Sequence, residues 1–246
     1  MITHARRIDP ESLPPPVSRT RVRGGLRVGI ALGATAVAMF AGLRAAPTGV
    51  NNVPSADTSP GGTGVFQMYS AFGKGAPEWF AGVRAGLSPS LGNFEAGVDT
   101  RWGAGPTIPA FFNAKWAAQL EKGLPALGIG IAGVALRSSD RDALGQPQTY
   151  AVFTYDADVA RFHAGYAFQS RNGAMFFGLD HWWVLANQKL TFRADITQIQ
   201  NRDQWLASAG FMYLLADPLT LEVWHSLPTE RGRDYTTVRL SIGFRY

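Results

Sequence analysis

From residue 64 onward, hydrophobic and polar residues alternate along short runs that are separated by turn residues. Because strand side chains point to opposite faces in turn, a period of two indicates β-strands rather than helices. About twelve such runs occur, and each is close to the ~9–11 residues that a tilted strand needs to cross a bilayer. The pattern predicts an all-β fold, an antiparallel transmembrane β-barrel of about 12 strands. The sixth run, residues 148–156, is the weakest, so a ten-strand count stays open.

The charged residues of these runs fall almost entirely on one face, and the other face is apolar, as at Phe192, Leu221 and Phe244. We expect the charged face to line the lumen, either as a pore lining or as a ladder of salt bridges. Its predicted members are Arg84, Glu95, Asp99, Arg101, Lys115, Arg161, His163, Asp180, Arg193, Asp195, Glu222, Arg239 and Arg245. The phase of the alternation changes in the fifth run, which predicts a β-bulge near Gly133.

Alternation alone leaves open which face lies inside, because a soluble exported barrel that binds an apolar ligand has the same period. Three features favour an apolar exterior. The polar face is rich in glycine, which suits a crowded lumen. Its charges are mostly arginine with nearly balancing carboxylates, as expected for pairs in a confined space. Tryptophan and tyrosine gather near the strand ends, as in the aromatic girdles of membrane barrels.

The net charge of +5 comes entirely from the first 46 residues, which hold seven arginines against Asp9 and Glu11. The rest of the chain is neutral, so nucleic acid is not expected as a partner. A positive stretch precedes an apolar run over residues 28–43, which predicts a signal peptide over 1–46. Arg44 stands where a small residue is preferred before cleavage, so an uncleaved inner-membrane anchor stays an alternative. Residues 47–63 are rich in Pro, Gly, Ser and Asn and predict a flexible periplasmic lead-in, and residues 64–246 form the barrel.

No enzymatic centre, metal site or cofactor is predicted. The chain has no cysteine, which excludes disulfides and thiolate ligands. A lipid-modifying outer-membrane enzyme needs a serine and a histidine on the same strand face. His225 and Ser226 are adjacent and therefore point to opposite faces, while His163 has no serine on its own strand face.

The last strand ends in Phe244-Arg245-Tyr246, which resembles the closing strand and assembly signal of bacterial outer-membrane β-barrels. The resemblance implies an outer-membrane location, contact with membrane lipid, and recognition of Phe244 and Tyr246 by the barrel-assembly machinery. Three further phrases resemble uncharacterised exported barrels and, more distantly, YjbH-type barrels associated with exopolysaccharide production. They are Asn52-Val53-Pro54-Ser55-Ala56-Asp57, residues 91–99 and residues 111–115. This second resemblance implies an envelope role in polysaccharide passage and assigns no functional residue.

The predicted function is a narrow passive pore for a small solute or a saccharide, with an envelope scaffold as the alternative. Large residues on the inward phase narrow the lumen, and a nearly neutral lining predicts weak ion selectivity. These inward residues are Phe80, Phe111, Phe176, Trp182 and Trp224.

Overall fold

The computed structural model describes residues 48–73, 78–90, 92–102, 108–119, 121–140, 147–168, 173–185, 188–199, 204–229 and 234–246. The predicted signal peptide, residues 1–46, lies outside the described residues. Within the described ranges, no helix has both the length and the apolar character needed to span a bilayer.

Twelve antiparallel strands, β3 to β14, form one sheet that closes when β14 pairs with β3. Two short strands, β1 and β2, form a separate hairpin. The strands are β1 Gly49–Val50, β2 Val53–Pro54, β3 Thr63–Gly73, β4 Glu78–Leu87, β5 Asn93–Trp102, β6 Ala110–Ala118, β7 Ala126–Ala135, β8 Gln148–Asp156, β9 Arg161–Phe168, β10 Ala174–Leu185, β11 Gln188–Ile199, β12 Gln204–Ala216, β13 Leu219–Pro228 and β14 Tyr235–Arg245. The prediction of a closed barrel with twelve strands is confirmed, and the weak sixth run is β8.

The apolar face of the barrel points outward and the charged face points into the lumen. Glu95, Lys115 and Asp180 are at most 3% exposed, whereas Phe153 and Phe211 are more than half exposed. The alternative of a barrel that encloses an apolar ligand is therefore wrong, because the face that would line its cavity lies on the outside. This polarity is the inverse of a water-soluble fold and is that of a transmembrane barrel.

The predicted bulge in β7 is confirmed. The register between β6 and β7 shifts between Phe112 and Ala114, opposite Gly133. Gly133 has a φ of 75°, a left-handed conformation that favours glycine, and its N–H donates to Asn113 Oδ1 at 2.8 Å. A second register shift, between Leu214 and Ala216 in β12, has no counterpart in the sequence-based expectations.

Residues 48–60 lie inside the barrel, and we name them the plug segment. Their β1–β2 hairpin pairs Gly49 with Pro54 and Val50 with Val53 around a turn at Asn51 and Asn52. This differs from the flexible periplasmic lead-in expected over 47–63. The physical reason is that the segment's polar groups find hydrogen-bond partners on the lumen wall, while Val50 and Val53 are 1% and 4% exposed in an apolar cluster with strands β8–β10.

The two ends of the barrel differ in what they carry. The terminal mouth is the end at which β3 begins and β14 ends, and the plug segment enters there through Gly61 and Gly62. The loop mouth is the opposite end, where β3 is linked to β4 and β13 to β14. Tyr246 lies at the terminal mouth, where its N–H donates to the Gly62 carbonyl at 3.1 Å and its hydroxyl donates to the Gly86 carbonyl at 2.7 Å.

Candidate functional site

Glu95 is the main anchor of the plug segment. It faces the lumen from β5 and accepts four hydrogen bonds from both arms of the segment. Thr48 donates its N–H at 2.9 Å and its hydroxyl at 2.5 Å, and Ser59 donates its N–H and hydroxyl at 2.8 Å each. Hydrogen bonds to a carboxylate are stronger than those to a neutral acceptor. One side chain therefore fixes the two ends of the segment.

Lys115 neutralises Glu95 and holds the same region from the neighbouring strand β6. Its ammonium group lies 3.9 Å from the Glu95 carboxylate and donates to the carbonyl groups of Thr48 at 2.7 Å and Ser55 at 3.1 Å. Arg84, on β4, lies 3.7 Å from Glu95 on the other side. A buried carboxylate needs such compensation, because an unpaired charge is very costly to desolvate.

Asn52 occupies a polar site at the tip of the hairpin. Its N–H donates to Asp195 at 3.1 Å, and its amide nitrogen donates to the hydroxyls of Ser208 at 2.5 Å and Ser226 at 3.1 Å. Its amide oxygen accepts a hydrogen bond of 3.3 Å from the indole of Trp224. The tip is thus bound by the adjacent strands β11, β12 and β13. Asp195 pairs in register with Ser208, and Ser208 pairs with Ser226.

The returning arm of the plug segment docks on β8 and β9. Ala56 N–H donates to the Thr154 hydroxyl at 2.8 Å, and Asp57 pairs with Arg161 at 2.9 Å. Arg161 also binds Asp180 through two nitrogens, at 2.9 and 2.7 Å. Burial opposes ionisation of Asp57, but its ion pair with Arg161 outweighs that effect and lowers the pKa of Asp57 below its ordinary value.

His163 links the same group of side chains. Its Nδ1 lies 2.9 Å from the Thr154 hydroxyl and its Nε2 lies 3.2 Å from Asp180. Thr154, His163 and Asp180 thus form a chain of hydrogen bonds, and their residue types resemble those of a catalytic relay. The Thr154 hydroxyl, however, is covered by the plug segment, since it accepts the Ala56 N–H and is 7% exposed. The arrangement therefore holds the plug segment in place.

Glu222 is the centre of a second charged cluster, which contacts β11 and β14 rather than the plug segment. Arg193 donates to it at 2.7 Å, and Arg239 contacts it through two nitrogens, one of them at 3.0 Å. The Arg239 guanidinium also lies 5.1 Å from the centre of the Trp224 ring, within range of a cation–π contact. Two arginines around one buried glutamate fill this side of the lumen.

The remaining predicted lumen residues lie nearer the mouths. Asp99 accepts a hydrogen bond of 2.6 Å from Asn113, and Arg101 pairs with Glu78 on the adjacent strand. Arg245 has the same alternation phase as the lumen residues of β14, but it is the last residue of that strand and is exposed. Arg193 and Asp195 stand one step apart on the lumen face of β11, yet Arg193 binds Glu222 and Asp195 accepts the Asn52 N–H. Arg193 lies opposite Gly210 on β12, which has no side chain, so its guanidinium reaches Glu222 on β13 across that strand.

Two cavities of the lumen are lined by described residues, one on each side of the plug segment. The larger, of about 510 Å³, opens toward the loop mouth and has Asn51 and Asn52 as its floor. The smaller, of about 190 Å³, lies toward the terminal mouth between Thr48 and the arginines of the Glu222 cluster. Of the predicted inward aromatics, Phe80, Phe111, Phe176 and Trp224 are at most 9% exposed, while Trp182 is 41% exposed.

The plug segment and its hydroxyl partners, Thr154, Ser208 and Ser226, are not among the residues predicted from the sequence. The phrase Asn52-Val53-Pro54-Ser55-Ala56-Asp57 stood out only for its resemblance to other barrels. The sequence does contain a signal for the hairpin. Val50 and Val53 are apolar and flank the pair Asn51-Asn52, a pattern typical of a tight hairpin turn.

Within the described ranges, no group of three or more His, Asp or Glu side chains comes together as a metal site. His225, 44% exposed on the outer side, bonds Thr236 rather than Ser226. Ser226 is fully buried in the lumen and bonds Ser208 at 2.9 Å. The two residues therefore lie on opposite sides of the wall, as the strand period predicts.

No family model and no curated protein matches the sequence. Among solved structures, the chain is similar to a KdgM porin with a TM-score of 0.51 and 8% identity, over 74% of this chain and 99% of that one. It is also similar to a KdgM porin in complex with disordered oligogalacturonate, with a TM-score of 0.50 and 9% identity, over 75% and 99% of the two chains. At this identity the likeness shows the fold alone, a closed antiparallel β-barrel like that of these porins. The YjbH-type resemblance stays a prediction.

Proposed function

We propose that this chain is a pore of the bacterial outer membrane for small hydrophilic solutes, and that its plug segment closes the pore while it is seated in the arrangement described above. The observation that carries the proposal is the polarity of the barrel. Apolar side chains cover the outside, while arginines, carboxylates and hydroxyls line a lumen that holds a cavity at each end. Such a wall suits lipid outside and water inside.

The outer-membrane location and the partners belong to the same proposal. The outward Phe244 and Tyr246 are 41% and 64% exposed at the terminal mouth, where they are available to lipid and to the barrel-assembly machinery. The proposal places the terminal mouth on the periplasmic side of the membrane. A saccharide is the finer proposal for the solute, supported by the oligogalacturonate named for one similar structure and by the amides and hydroxyls among the described residues that line the larger cavity.

A closed envelope scaffold is the second candidate, and the seated plug segment favours it. The segment crosses the lumen from β5 to β12 through Glu95 and Asn52, so a solute cannot pass the centre without moving it. The two candidates therefore differ in whether the plug segment leaves its site.

A reversible cross-link separates the two candidates. The chain has no cysteine, so Asn52→Cys with Ser208→Cys introduces one pair at a position where the native side chains are 2.5 Å apart. Single-channel conductance of the refolded protein is recorded in a planar bilayer under oxidising and then reducing conditions. We expect the oxidised protein to stay closed and the reduced protein to regain the openings of the wild type.

The matched control is Thr236→Cys with His225→Cys, a contact on the outer face that should leave conductance unchanged in either redox state. A wild-type protein that inserts fully but never conducts would contradict the pore proposal and favour the scaffold. Equal conductance of the oxidised and reduced Asn52–Ser208 pair would contradict the role given to the plug segment.

A further inference from the structure

Asn52 is held by the barrel wall as a small ligand is held in a binding site. Around it lie the carboxyl group of Asp195, the hydroxyls of Ser208 and Ser226, and the indole N–H of Trp224. Asn52 meets these groups with a backbone N–H, an amide nitrogen that donates twice and an amide oxygen that accepts. Each of the four wall residues is at most 6% exposed. We name these four residues the tip site.

Asp195 differs from other buried carboxylates of the lumen. Glu95 and Glu222 each lie beside a lysine or an arginine of the wall. The residues paired in register with Asp195, Gly178 and Ser208, are uncharged, and within the described ranges Asp195 makes no ion pair. A buried carboxylate without a cation is costly, and such a cost is expected where a residue serves function. Asp195 is therefore placed to accept hydrogen bonds from the occupant of the tip site.

The donors and acceptors of the tip site select the class of its occupant. Asp195 lies on β11 and Trp224 on β13, with β12 between them, so the two backbones are about 10 Å apart. A trans amide directs its N–H and its carbonyl oxygen in opposite directions, so it can donate to Asp195 and accept from Trp224. A neighbouring hydroxyl can then donate to Ser208 and Ser226, as the Asn52 amide nitrogen does. An acetamido sugar carries this set, whereas an acidic sugar would be repelled by Asp195.

We infer that the tip site binds an uncharged saccharide that bears an acetamido group, and that Asn52 occupies the site in place of this solute. This rests on the proposed function and gives its solute a chemical class. In the seated state Asn52 covers the wall groups, so release of the plug segment exposes them. Asn52 also lies on the floor of the larger cavity. A solute that enters this cavity therefore meets the tip of the plug segment.

The solute and the plug segment compete for the same wall groups. A ligand that binds one of two states shifts the equilibrium toward that state. Because the saccharide binds only the unseated state, it should raise the open fraction of the pore. In the wild type, its apparent affinity is reduced by the fraction of molecules whose tip site is free. Weakening the seat of the plug segment should therefore tighten binding of the saccharide.

The probe for this competition is N,N′-diacetylchitobiose, and its control is cellobiose, which has hydroxyls in place of both acetamido groups. Each sugar is titrated calorimetrically into the refolded full chain. Asn52→Ala removes three of the hydrogen bonds that seat the tip, and it should bind diacetylchitobiose about tenfold more tightly than the wild type does. Cellobiose should bind this variant several times more weakly. Unchanged or weaker binding of diacetylchitobiose to Asn52→Ala, or equal binding of the two sugars, would contradict the inference.

Wall variants made in the Asn52→Ala chain separate contact with the solute from contact with the plug segment. Trp224→Phe removes the indole N–H and should weaken diacetylchitobiose binding about three- to tenfold, the effect of one hydrogen bond. Its control is Trp183→Phe, since Trp183 is 43% exposed on the outer face. Ser208→Ala repeats the test if Trp224→Phe does not fold, with Ser241→Ala, beside the smaller cavity, as its control. Equal losses in the test and control variants would overturn the tip site.

Conductance distinguishes failure of the tip site from failure of the pore. Diacetylchitobiose should raise the open fraction of wild-type single channels in a planar bilayer, and cellobiose should do so less. A protein that conducts without sugar but neither binds nor responds to diacetylchitobiose would refute the tip site and leave the pore proposal intact. A protein that binds diacetylchitobiose as expected but never conducts would refute the pore and support the tip site.

Discussion

The two sides of the lumen are filled in different ways. Between β5 and β12, across β8 and β9, the plug segment fills the lumen with its own backbone, hydroxyls and two valines. Along β13, β14, β3 and β4, fixed side chains fill it through the Glu222 cluster, and the smaller cavity remains beside them. The plug segment is not one of the strands of the barrel wall, whereas the side chains of the Glu222 cluster belong to those strands.

This difference separates stability from gating. Removal of the plug segment opens the lumen but leaves every strand pair of the barrel in place, since those pairs run from β3 to β14. Loss of the Glu222 cluster leaves two arginines of the wall without their buried partner. Perturbing one side should therefore change conductance, and perturbing the other should change the free energy of unfolding.

The largest effect is expected for Glu222→Ala. Removing one partner of a buried ion pair leaves uncompensated charge and costs ~3–5 kcal/mol. We expect a corresponding drop in the free energy of unfolding, measured by urea denaturation of the refolded barrel. Glu121→Ala, at an exposed turn, is the control and should change little. Equal shifts for the two variants would show that the cluster does not stabilise the wall.

A smaller effect is expected for Glu95→Gln, and it concerns the seating of the plug segment rather than the free energy of unfolding. It keeps the shape of the anchor but removes the charge that Thr48 and Ser59 bind, at ~2 kcal/mol. The ratio of seated to unseated segment should fall about thirtyfold, read as a corresponding rise in the rate at which maleimide labels a buried Val50→Cys reporter. Glu78→Gln, whose pair with Arg101 lies at the loop mouth, is the control. Unchanged labelling would contradict the anchoring role.

The smallest effect is expected from pH acting on Asp57. Because its folded pKa is lowered, its stabilising contribution is present above the ordinary aspartate pKa and is lost as pH falls through the lowered value. Asp57 is 37% exposed, so the change should be severalfold at most. The open fraction of single channels should rise below about pH 4. Asp57→Asn should be more open at pH 7 and should lack this component of the acid response.

Much of the barrel could be predicted because a strand records its two faces in a local period. The limits of β8 and the bulge at Gly133 both followed from alternation. The pairing of charges could not be predicted, because Arg193 meets Glu222 through a register that spans two strand boundaries. The same holds for Asn52, whose partner Ser226 lies 174 residues away. Residues 48–60 have the composition of a linker, and only the lumen supplies the contacts that order them.

Gly61 and Gly62 connect the plug segment to β3, and Gly62 has a φ of 72°. With so short a tether, the segment meets its site at a high effective concentration that depends on the link and not on how many molecules share a membrane. Diluting the protein, or washing the bilayer, should therefore leave the blockade unchanged, and a free peptide of the same sequence would compete poorly with its attached counterpart.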